Sequence, residues 1–280
     1  MELSGSATME AFTLTGKVYV ITGGAGYLGT QHAEAILDAG GSVALFDISE
    51  GVFEKAKQLQ ASRKQPVRGY RVDITSKSDI EKAVSSVVAD FGGVDGLINN
   101  AACNSEMDRG GSGYRGEFEN LPLEQWNKEI EVGLTGAFLM AQVVGPFLVQ
   151  KGSGVILNIA SDLSVIAPDQ RLYRNEEAPD ERQSFKPATY SVTKHALVGL
   201  TKYLATYWAD KGIRVNAISP GPVYKEGADP KFVQRISKLI PLGRMAKYDE
   251  YKAAIVFLCS DASSYMTGQN VIMDGGRSVW

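Results

Sequence analysis

Residues 17–29, KVYVITGGAGYLG, decide the fold, because a β-branched run leads directly into a glycine-rich turn and then into a helical pattern. Glycines at such a turn permit a tight bend and let backbone N–H groups approach a pyrophosphate at the N-terminus of a helix. The turn alone is a weak indication, since any strand-to-helix connection can use glycines. In this context it predicts a dinucleotide site, with Thr22, Gly23, Gly26, Tyr27, Leu28 and Gly29 binding the cofactor.

Acidic residues end the next two β-branched runs. Asp47 stands 18 residues after Gly29, near the spacing expected for a carboxylate that binds a ribose diol. Such a carboxylate repels a 2′-phosphate, and no Arg or Lys follows before Lys55, so the sequence predicts NAD(H) rather than NADP(H). A solvated turn residue or a helix N-cap is the alternative for Asp47. Asp73, with Ile74 after it, is predicted to lie near the adenine or to cap the next helix.

Short β-branched runs alternate with helical patterns along the whole chain. Apolar residues in the helical stretches recur at intervals of three and four residues, as at Ile80, Ala83 and Val84. This alternation implies parallel strands joined by right-handed crossovers, with helices on both faces of the sheet. The predicted strands are Lys17–Ile21, Ser42–Phe46, Val67–Val72, Gly96–Ile98, Val155–Ile159, Arg214–Ile218 and Asn270–Met273, and the helices lie near 28–39, 52–62, 77–91, 123–150, 188–211 and 249–260.

No Pro-, Gly- or Ser-rich linker divides this pattern. We therefore predict an N-terminal extension at residues 1–14 and one doubly wound α/β domain at residues 15–280, built on a mostly parallel seven-stranded sheet. The net charge of -3 and the lack of a basic block argue against a nucleic-acid partner. Two distant cysteines give neither a disulfide framework nor a zinc site.

The N-terminal residues and the most apolar stretch of the chain indicate the cellular compartment. Residues 1–12 lack the basic start and apolar core of a signal peptide. The most apolar long stretch, Leu134–Val149, is too short and too polar to span a bilayer and is predicted to form a buried helix. These observations predict a cytoplasmic protein without a membrane partner.

Two segments, 103–121 and 167–187, break the alternation and are rich in charge. Each follows a predicted strand at its carboxyl end, where open α/β sheets bind ligands, so both are predicted to be substrate loops over one pocket. Arginine forks suit phosphate and carboxylate groups. Arg109 on the first loop, with Arg171 and Arg174 on the second, are therefore candidate substrate residues, as is Asp162. Mixed charges that only solvate the loops are the alternative.

Tyr190 and Lys194 stand four residues apart within a helical pattern, and residues at this spacing share one face of a helix. An ammonium beside a phenol favours phenolate, so the pair predicts a tyrosine with a lowered pKa that acts as a general acid or base. Taken alone, such a pair more often marks a solvated helical face.

These features occur together with Asn99-Asn100-Ala101-Ala102, Ser161, Pro220-Gly221, Pro241-Leu242-Gly243-Arg244 and Asp274-Gly275-Gly276. With them, the chain resembles the short-chain dehydrogenase/reductase family from about residue 15 to its end. The resemblance implies a Rossmann fold, a nicotinamide cofactor and hydride exchange with an alcohol or carbonyl. It makes Tyr190 the acid/base and Ser161 the hydrogen-bond partner of the substrate oxygen. Lys194 would hold the nicotinamide ribose and lower the pKa of Tyr190.

The resemblance also implies a cofactor site that includes Asn100, Ala101, Ala102, Tyr190, Lys194, Pro220, Gly221 and Val223. Family members commonly form dimers and tetramers. The chain is therefore predicted to form a homodimer or homotetramer through the helices at 134–150 and 188–211. Ordinary packing of these helices on the sheet is the alternative.

The chain departs from the classical branch of the family at three positions. Tyr27 stands where the middle glycine belongs, which resembles the extended branch of nucleotide-sugar epimerases and dehydratases. Gly133 replaces an asparagine that holds a relay water, so either the backbone of a kinked helix or another side chain binds this water, or proton delivery slows. A glycine that only relieves crowding between helices is the alternative. Lys225 replaces a threonine near the carboxamide.

The functional prediction is an NAD-dependent oxidoreductase acting on an alcohol or carbonyl of a polar sugar, phosphorylated or nucleotide-linked if the arginines bind an anion. Residues 158–208 resemble a bacterial subgroup linked to surface-sugar and flagellin-glycan synthesis. One alternative is a nucleotide-sugar epimerase or dehydratase that cycles a bound NAD. Another is a nucleotide-binding scaffold with weak turnover, which Gly133 favours and the Ser-Tyr-Lys set opposes.

Overall fold

A computed structural model describes residues 7–103, 115–174, 179 and 183–280. Seven strands form one sheet in the order β3-β2-β1-β4-β5-β6-β7, and every neighbouring pair is parallel. All seven predicted strands are confirmed, and the sheet is wholly rather than mostly parallel. The strands are β1 (Val18–Thr22), β2 (Ser42–Asp47), β3 (Val67–Arg71), β4 (Gly96–Asn99), β5 (Gly154–Ile159), β6 (Ile213–Pro220) and β7 (Asn270–Met273).

Helices cover both faces of the sheet, which explains why the central strands read as continuous apolar runs. The helices are α1 (Ala7–Glu10), α2 (Tyr27–Asp38), α3 (Gly51–Ala61), α4 (Lys77–Phe91), α5 (Leu123–Ile130), α6 (Gly136–Lys151), α7 (Ala188–Tyr207), α8 (Pro230–Ser237) and α9 (Lys252–Cys259). Helices α2, α3 and α9 enclose one apolar core, and α4, α6 and α7 enclose the other. The end of the predicted extension joins the first core through Leu14, which is buried.

Helix α8 has no counterpart in the sequence prediction. Asp229 caps it by accepting hydrogen bonds from two backbone N–H groups, and Pro230 occupies its first turn. With a short 3-10 turn at Gln170–Tyr173 it encloses a small third core of Leu172, Ile236, Ile240 and Met245. This unit lies at the carboxyl edge of the sheet, beside the segment that contains the second predicted substrate loop.

The single long helix predicted at residues 123–150 is interrupted. A π-helical turn, Glu131–Thr135, joins α5 to α6 and adds an extra residue to one turn. The continuous segment Leu123–Lys151 has the length and composition of a membrane-crossing helix, but half of its most apolar window is buried inside the protein. A core helix passes the same test, and α6 packs on β4 and β5 as one.

Helix α2 carries a fully buried histidine, His32. Burial lowers the pKa of His32 to about 4, and hydrogen bonding toward the Asn100 side chain offsets this only in part. The folded protein therefore holds the ring neutral at a pH where an unfolded chain, with its ordinary histidine pKa near 6.5, begins to take up a proton.

We expect this histidine to make the protein acid-sensitive. Its neutral form contributes fully above pH 6.5, and stability falls as the pH drops from 6.5 toward 4, by about 3 kcal/mol for a shift of this size. Urea unfolding at a series of pH values measures this slope. His32→Leu should flatten it, and the matched variant at the exposed His195 should not. An unchanged slope in His32→Leu would contradict the assignment.

Candidate active site

A cleft of about 650 Å³ lies at the carboxyl edge of the sheet, where the strand order reverses between β1 and β4. Most of the predicted site residues line it: Gly23, Gly26, Tyr27, Leu28, Gly29, Asp47, Asp73, Ile74, Asn100, Ala101, Ala102, Ser161, Asp162, Tyr190, Lys194, Pro220, Gly221 and Val223. Thr22 does not. It is buried beneath the cleft, and its Oγ1 accepts hydrogen bonds of 3.0 Å from the N–H groups of Asn100 and Ala101.

The glycine turn is shaped for close approach to a ligand. Gly23 has a φ of +63°, a left-handed conformation that favours glycine. A Cβ on Gly29 would stand 2.1 Å from the carbonyl oxygen of Gly23, so only glycine fits there. Helix α2 begins at Tyr27 without a side-chain cap, which leaves its first N–H groups facing the cleft edge. These features fit a pyrophosphate.

Tyr27 stands where a glycine was expected, and its side chain spans the mouth of the cleft. The hydroxyl donates a 2.9 Å hydrogen bond to the carbonyl oxygen of Tyr224, in the segment after β6. The ring packs edge-on against Tyr248 with the centroids 5.1 Å apart. Lys225, the other departure on this side, lines the cleft with its Nζ 5.7 Å from the Tyr27 centroid.

The two acidic residues have different surroundings. Each carboxylate oxygen of Asp47 accepts one backbone N–H at 3.0 Å, from Ala25 and from Ser49, so the carboxylate is fixed between the glycine turn and the end of β2. Asp73 instead accepts both the N–H and the hydroxyl of Thr75. Ser76, not Asp73, caps α4. Asp47 is thus held at the place expected for a ribose partner.

Ser161, Tyr190 and Lys194 meet at the base of the cleft. Ser161 lies two residues after the end of β5, and the other two residues occupy the first two turns of α7. The Nζ of Lys194 donates a 2.7 Å hydrogen bond to the carbonyl oxygen of Ile159 and lies 5.8 Å from the Tyr190 ring centroid. The sheet edge and the helix therefore bring together residues that are distant in sequence.

The predicted lowering of the Tyr190 pKa is wrong for the protein alone. Burial raises the pKa of Tyr190, a hydrogen bond with Ser161 opposes this, and the negative charge of Asp162 adds to it. Lys194 makes no such contribution, because its ammonium points at the Ile159 carbonyl. Instead burial, followed by the like charge of Lys186, lowers the pKa of Lys194 to about 8.

Lys186 is a site residue that the sequence did not indicate. Its ammonium lies 3.8 Å above the centroid of the Tyr190 ring, within the range of a cation–π contact. Burial lowers the pKa of Lys186, while Glu129 and Asp162 oppose that shift. Pro187 separates Lys186 from α7, so no helical spacing relates it to the tyrosine.

Arg277 is the second unpredicted site residue. Its Nη1 lies 2.5 Å from the Oδ2 of Asp162, and both side chains are less than a tenth exposed. The other carboxylate oxygen of Asp162 accepts hydrogen bonds from the Ser161 hydroxyl and the Leu163 N–H, each at 2.9 Å. Asp162 therefore joins Ser161 to the segment after β7.

The arginine clamp predicted on the substrate loops is not supported. Arg171 forms an exposed ion pair with Asp169, and its side chain is 84% exposed. Neither Arg171 nor Arg174 lines the cleft, and Arg109 lies outside the described residues. The second loop reaches the cleft through Tyr173 and Lys186 instead, and Phe232 and Ile236 of α8 lie beside them.

Gly133 sits in the π-helical turn against α7. A Cβ at this position would lie 2.5 Å from the Cγ2 of Thr193, so an asparagine cannot enter without displacing that methyl group. The geometry supports the crowding explanation for this glycine. An asparagine therefore cannot be placed here to hold a relay water unless Thr193 first moves.

We expect Gly133→Asn to lower stability by about 1–3 kcal/mol, the usual cost of overpacking a core, and to lower turnover with it. Removing the obstructing methyl group in Gly133→Asn/Thr193→Ser should restore at least half of the loss. Urea midpoints and kcat for the two variants and for Thr193→Ser alone test this. A single variant with raised turnover would show that the relay matters more than the crowding.

The parallel sheet, the glycine turn and the Ser-Tyr-Lys set together define a dinucleotide-binding oxidoreductase. A family model described as short chain dehydrogenase matches residues 17–173, and one described as enoyl-(acyl carrier protein) reductase matches residues 180–278. The chain belongs to the classical short-chain dehydrogenase/reductase family. It is an NAD(P)-dependent oxidoreductase acting on CH–OH groups.

Individual relatives span nearly the whole chain. The NAD-dependent glycerol dehydrogenase of Listeria innocua is 37% identical over 272 residues, covering 96% of each protein. The NADP-dependent mannitol dehydrogenase of Alternaria alternata is 34% identical, covering 96% of this chain and 95% of its own. The structure of an NAD⁺-bound xylitol dehydrogenase matches with a TM-score of 0.79 and 30% identity, covering 94% of this chain and 99% of that one.

These relatives correct one sequence prediction. The enzymes they name act on sugar alcohols, so the resemblance to a surface-sugar and flagellin-glycan subgroup is not supported. They include both NAD- and NADP-dependent enzymes, and the cofactor class of this chain is therefore NAD or NADP.

Proposed function

We propose that the protein is an NAD-dependent polyol dehydrogenase that interconverts a sugar alcohol and the corresponding carbonyl compound. The observation that carries the proposal is the meeting of Ser161, Tyr190 and Lys194 with the fixed carboxylate of Asp162 in one cleft. A polar cleft of this kind suits a polyhydroxylated substrate, and the polyol dehydrogenases among the relatives support the same substrate class.

The cleft fits a nicotinamide dinucleotide on its own geometry. The cradle at Gly23 and Gly29 would hold the pyrophosphate, Asp47 the adenosine ribose, and Lys194 the nicotinamide ribose. When bound, the nicotinamide ring supplies the two-electron chemistry of the reaction. The residues of the chain provide position and proton transfer.

Tyr190 is the proposed acid/base. In alcohol oxidation its phenolate removes the proton of the reacting hydroxyl, and in carbonyl reduction its phenol returns that proton. Ser161 fixes the substrate oxygen beside the phenol by a hydrogen bond. The ammonium of Lys186 lies 3.8 Å above the Tyr190 ring, where a positive charge favours the phenolate once substrate is in place.

Absorbance at 340 nm during incubation with NAD⁺ and glycerol, threitol, xylitol or mannitol tests the proposal. Net formation of NADH supports a dehydrogenase. Conversion of a nucleotide-linked sugar without net NADH would instead indicate internal cycling, as in an epimerase or dehydratase. Binding of NADH with neither reaction would indicate a scaffold.

The cofactor preference is tested at Asp47. Asp47→Asn keeps an acceptor for one of the two backbone N–H groups and removes the charge that opposes a 2′-phosphate. We expect the ratio of kcat/KM for NADP⁺ to that for NAD⁺ to rise by about ten-fold or more. Glu50→Gln, which neutralises an exposed acid three residues away, serves as the control. An unchanged ratio in Asp47→Asn would remove the basis for NAD selectivity.

We further propose a homodimer or homotetramer formed through α6 and α7. Their outward faces expose Phe138, Tyr203 and Tyr207 at 45%, 63% and 61% of their surface. Exposed aromatic side chains of this kind are enriched in subunit interfaces. Light scattering of the purified protein measures the state.

A further inference from the structure

In the protein without substrate, both carboxylate oxygens of Asp162 already accept hydrogen bonds from other residues of the chain. The Ser161 hydroxyl and the Leu163 N–H donate to one carboxylate oxygen, and Arg277 occupies the other. Asp162 is 4% exposed and lines the cleft beside Ser161. A buried carboxylate in this position is stabilised by these donors, and the loss of any one of them is costly.

Binding of a substrate oxygen to Ser161 must break one of these hydrogen bonds. Ser161 has a single hydroxyl proton, and that proton is donated to Asp162 in the structure. To donate to a substrate oxygen, the hydroxyl must turn away from the carboxylate. The oxygen that it leaves then lacks one donor, and a buried acceptor left short in this way is costly.

We propose that a second substrate hydroxyl, on the carbon next to the reacting carbon, takes the place of Ser161 on Asp162. The Ser161 Oγ and the Asp162 Oδ1 are 2.9 Å apart, and the two oxygens of a gauche vicinal diol are separated by about one hydrogen-bond length. The reacting oxygen then accepts from Ser161 while its neighbour donates to Asp162, and the number of hydrogen bonds is conserved.

Arg277 is a positioning residue in this arrangement. Its guanidinium donates to the carboxylate oxygen that Ser161 does not use and holds the carboxylate oriented as an acceptor. The inference rests on the proposed polyol dehydrogenase and narrows its substrates to vicinal diols. A simple alcohol engages Ser161 but cannot replace it on Asp162, so it carries the full cost of the missing bond.

The first test uses the unaltered enzyme with NAD⁺ and three small alcohols: 2,3-butanediol, 1,3-butanediol and 2-butanol. The vicinal diol should have a kcat/KM about 10- to 100-fold above the other two, which should resemble each other. Equal values for the two diols would overturn the inference. NADH binding without oxidation of glycerol, threitol, xylitol or mannitol would overturn the proposed function itself.

The second test removes the buried pair together in Asp162→Leu/Arg277→Met, because an apolar pair of similar volume is tolerated where a lone charge is not. The preference for 2,3-butanediol over 2-butanol should fall to within a few-fold of one, with the affinity for NADH unchanged. Asp169→Leu/Arg171→Met, the same replacement at an exposed pair, is the matched control and should keep the preference. A preference that survives in the first double variant would show that Asp162 does not receive the second hydroxyl.

Discussion

Tyr190→Phe is expected to lower kcat for polyol oxidation by about 10²- to 10⁴-fold, the range typical of a lost general acid or base, while the affinity for NADH stays unchanged. The substitution removes only the oxygen that exchanges the proton and keeps the ring on which Lys186 rests. Stopped-flow or steady-state formation of NADH measures the first quantity, and fluorescence titration with NADH measures the second.

The pH profile distinguishes this role from a structural one. Burial holds the pKa of Tyr190 above its ordinary value, so the phenolate needed for oxidation becomes more populated as the pH rises. Oxidation should therefore accelerate on the alkaline side in the parent enzyme and lose that dependence in Tyr190→Phe. Tyr203→Phe, on an exposed turn of the same helix, should behave as the parent. A parent-like profile in Tyr190→Phe would assign the proton transfer to another group.

Arg277→Met is expected to lower the free energy of unfolding by about 3–5 kcal/mol, the cost of leaving a buried carboxylate without its partner. Asp162 and Arg277 are both less than a tenth exposed, so water cannot replace the lost guanidinium. The loss should reverse largely in Asp162→Leu/Arg277→Met, where no charge remains. Urea unfolding of the two variants measures the difference.

A second arginine variant separates the effect of burial from the loss of an ion pair as such. Arg171→Met breaks a pair of the same chemistry whose arginine is 84% exposed, and it should lower the free energy of unfolding far less than Arg277→Met does. If Arg277→Met lowered the free energy of unfolding no more than Arg171→Met, the buried Asp162–Arg277 pair would not stabilise the connection between Ser161 and the segment after β7.

The sequence predicted the strands and the cofactor cradle because both depend on neighbours along the chain. A strand buried on both faces needs apolar side chains throughout, and β1 shows them without interruption. A glycine at position 29 was predictable because the turn folds back so closely that a Cβ there would clash with the carbonyl oxygen of Gly23. Tyr190 and Lys194 share a helix, so their spacing alone placed them together.

The site residues that the sequence did not indicate, Arg277 and Lys186, are placed by tertiary contacts rather than by a local sequence pattern. Arg277 meets Asp162 across 115 residues, and no local pattern marks either partner. Lys186 reaches Tyr190 from the irregular segment before α7, where no repeat fixes the direction of a side chain. Burial reversed the expected pKa shift of Tyr190, and the Lys194 ammonium donates to the Ile159 carbonyl instead of opposing that shift. A helical spacing specifies neither the burial of a phenol nor the direction of an ammonium.

The position of Arg277 near the end of the chain has a practical consequence. Chain termini usually tolerate truncation and the addition of tags. Here the short 3-10 turn Arg277–Val279 lies just after β7 and brings the guanidinium to the carboxylate of Asp162, the neighbour of Ser161. Removing Arg277 would thus alter the site itself, and a tag or fusion inserted between β7 and this turn is expected to do the same.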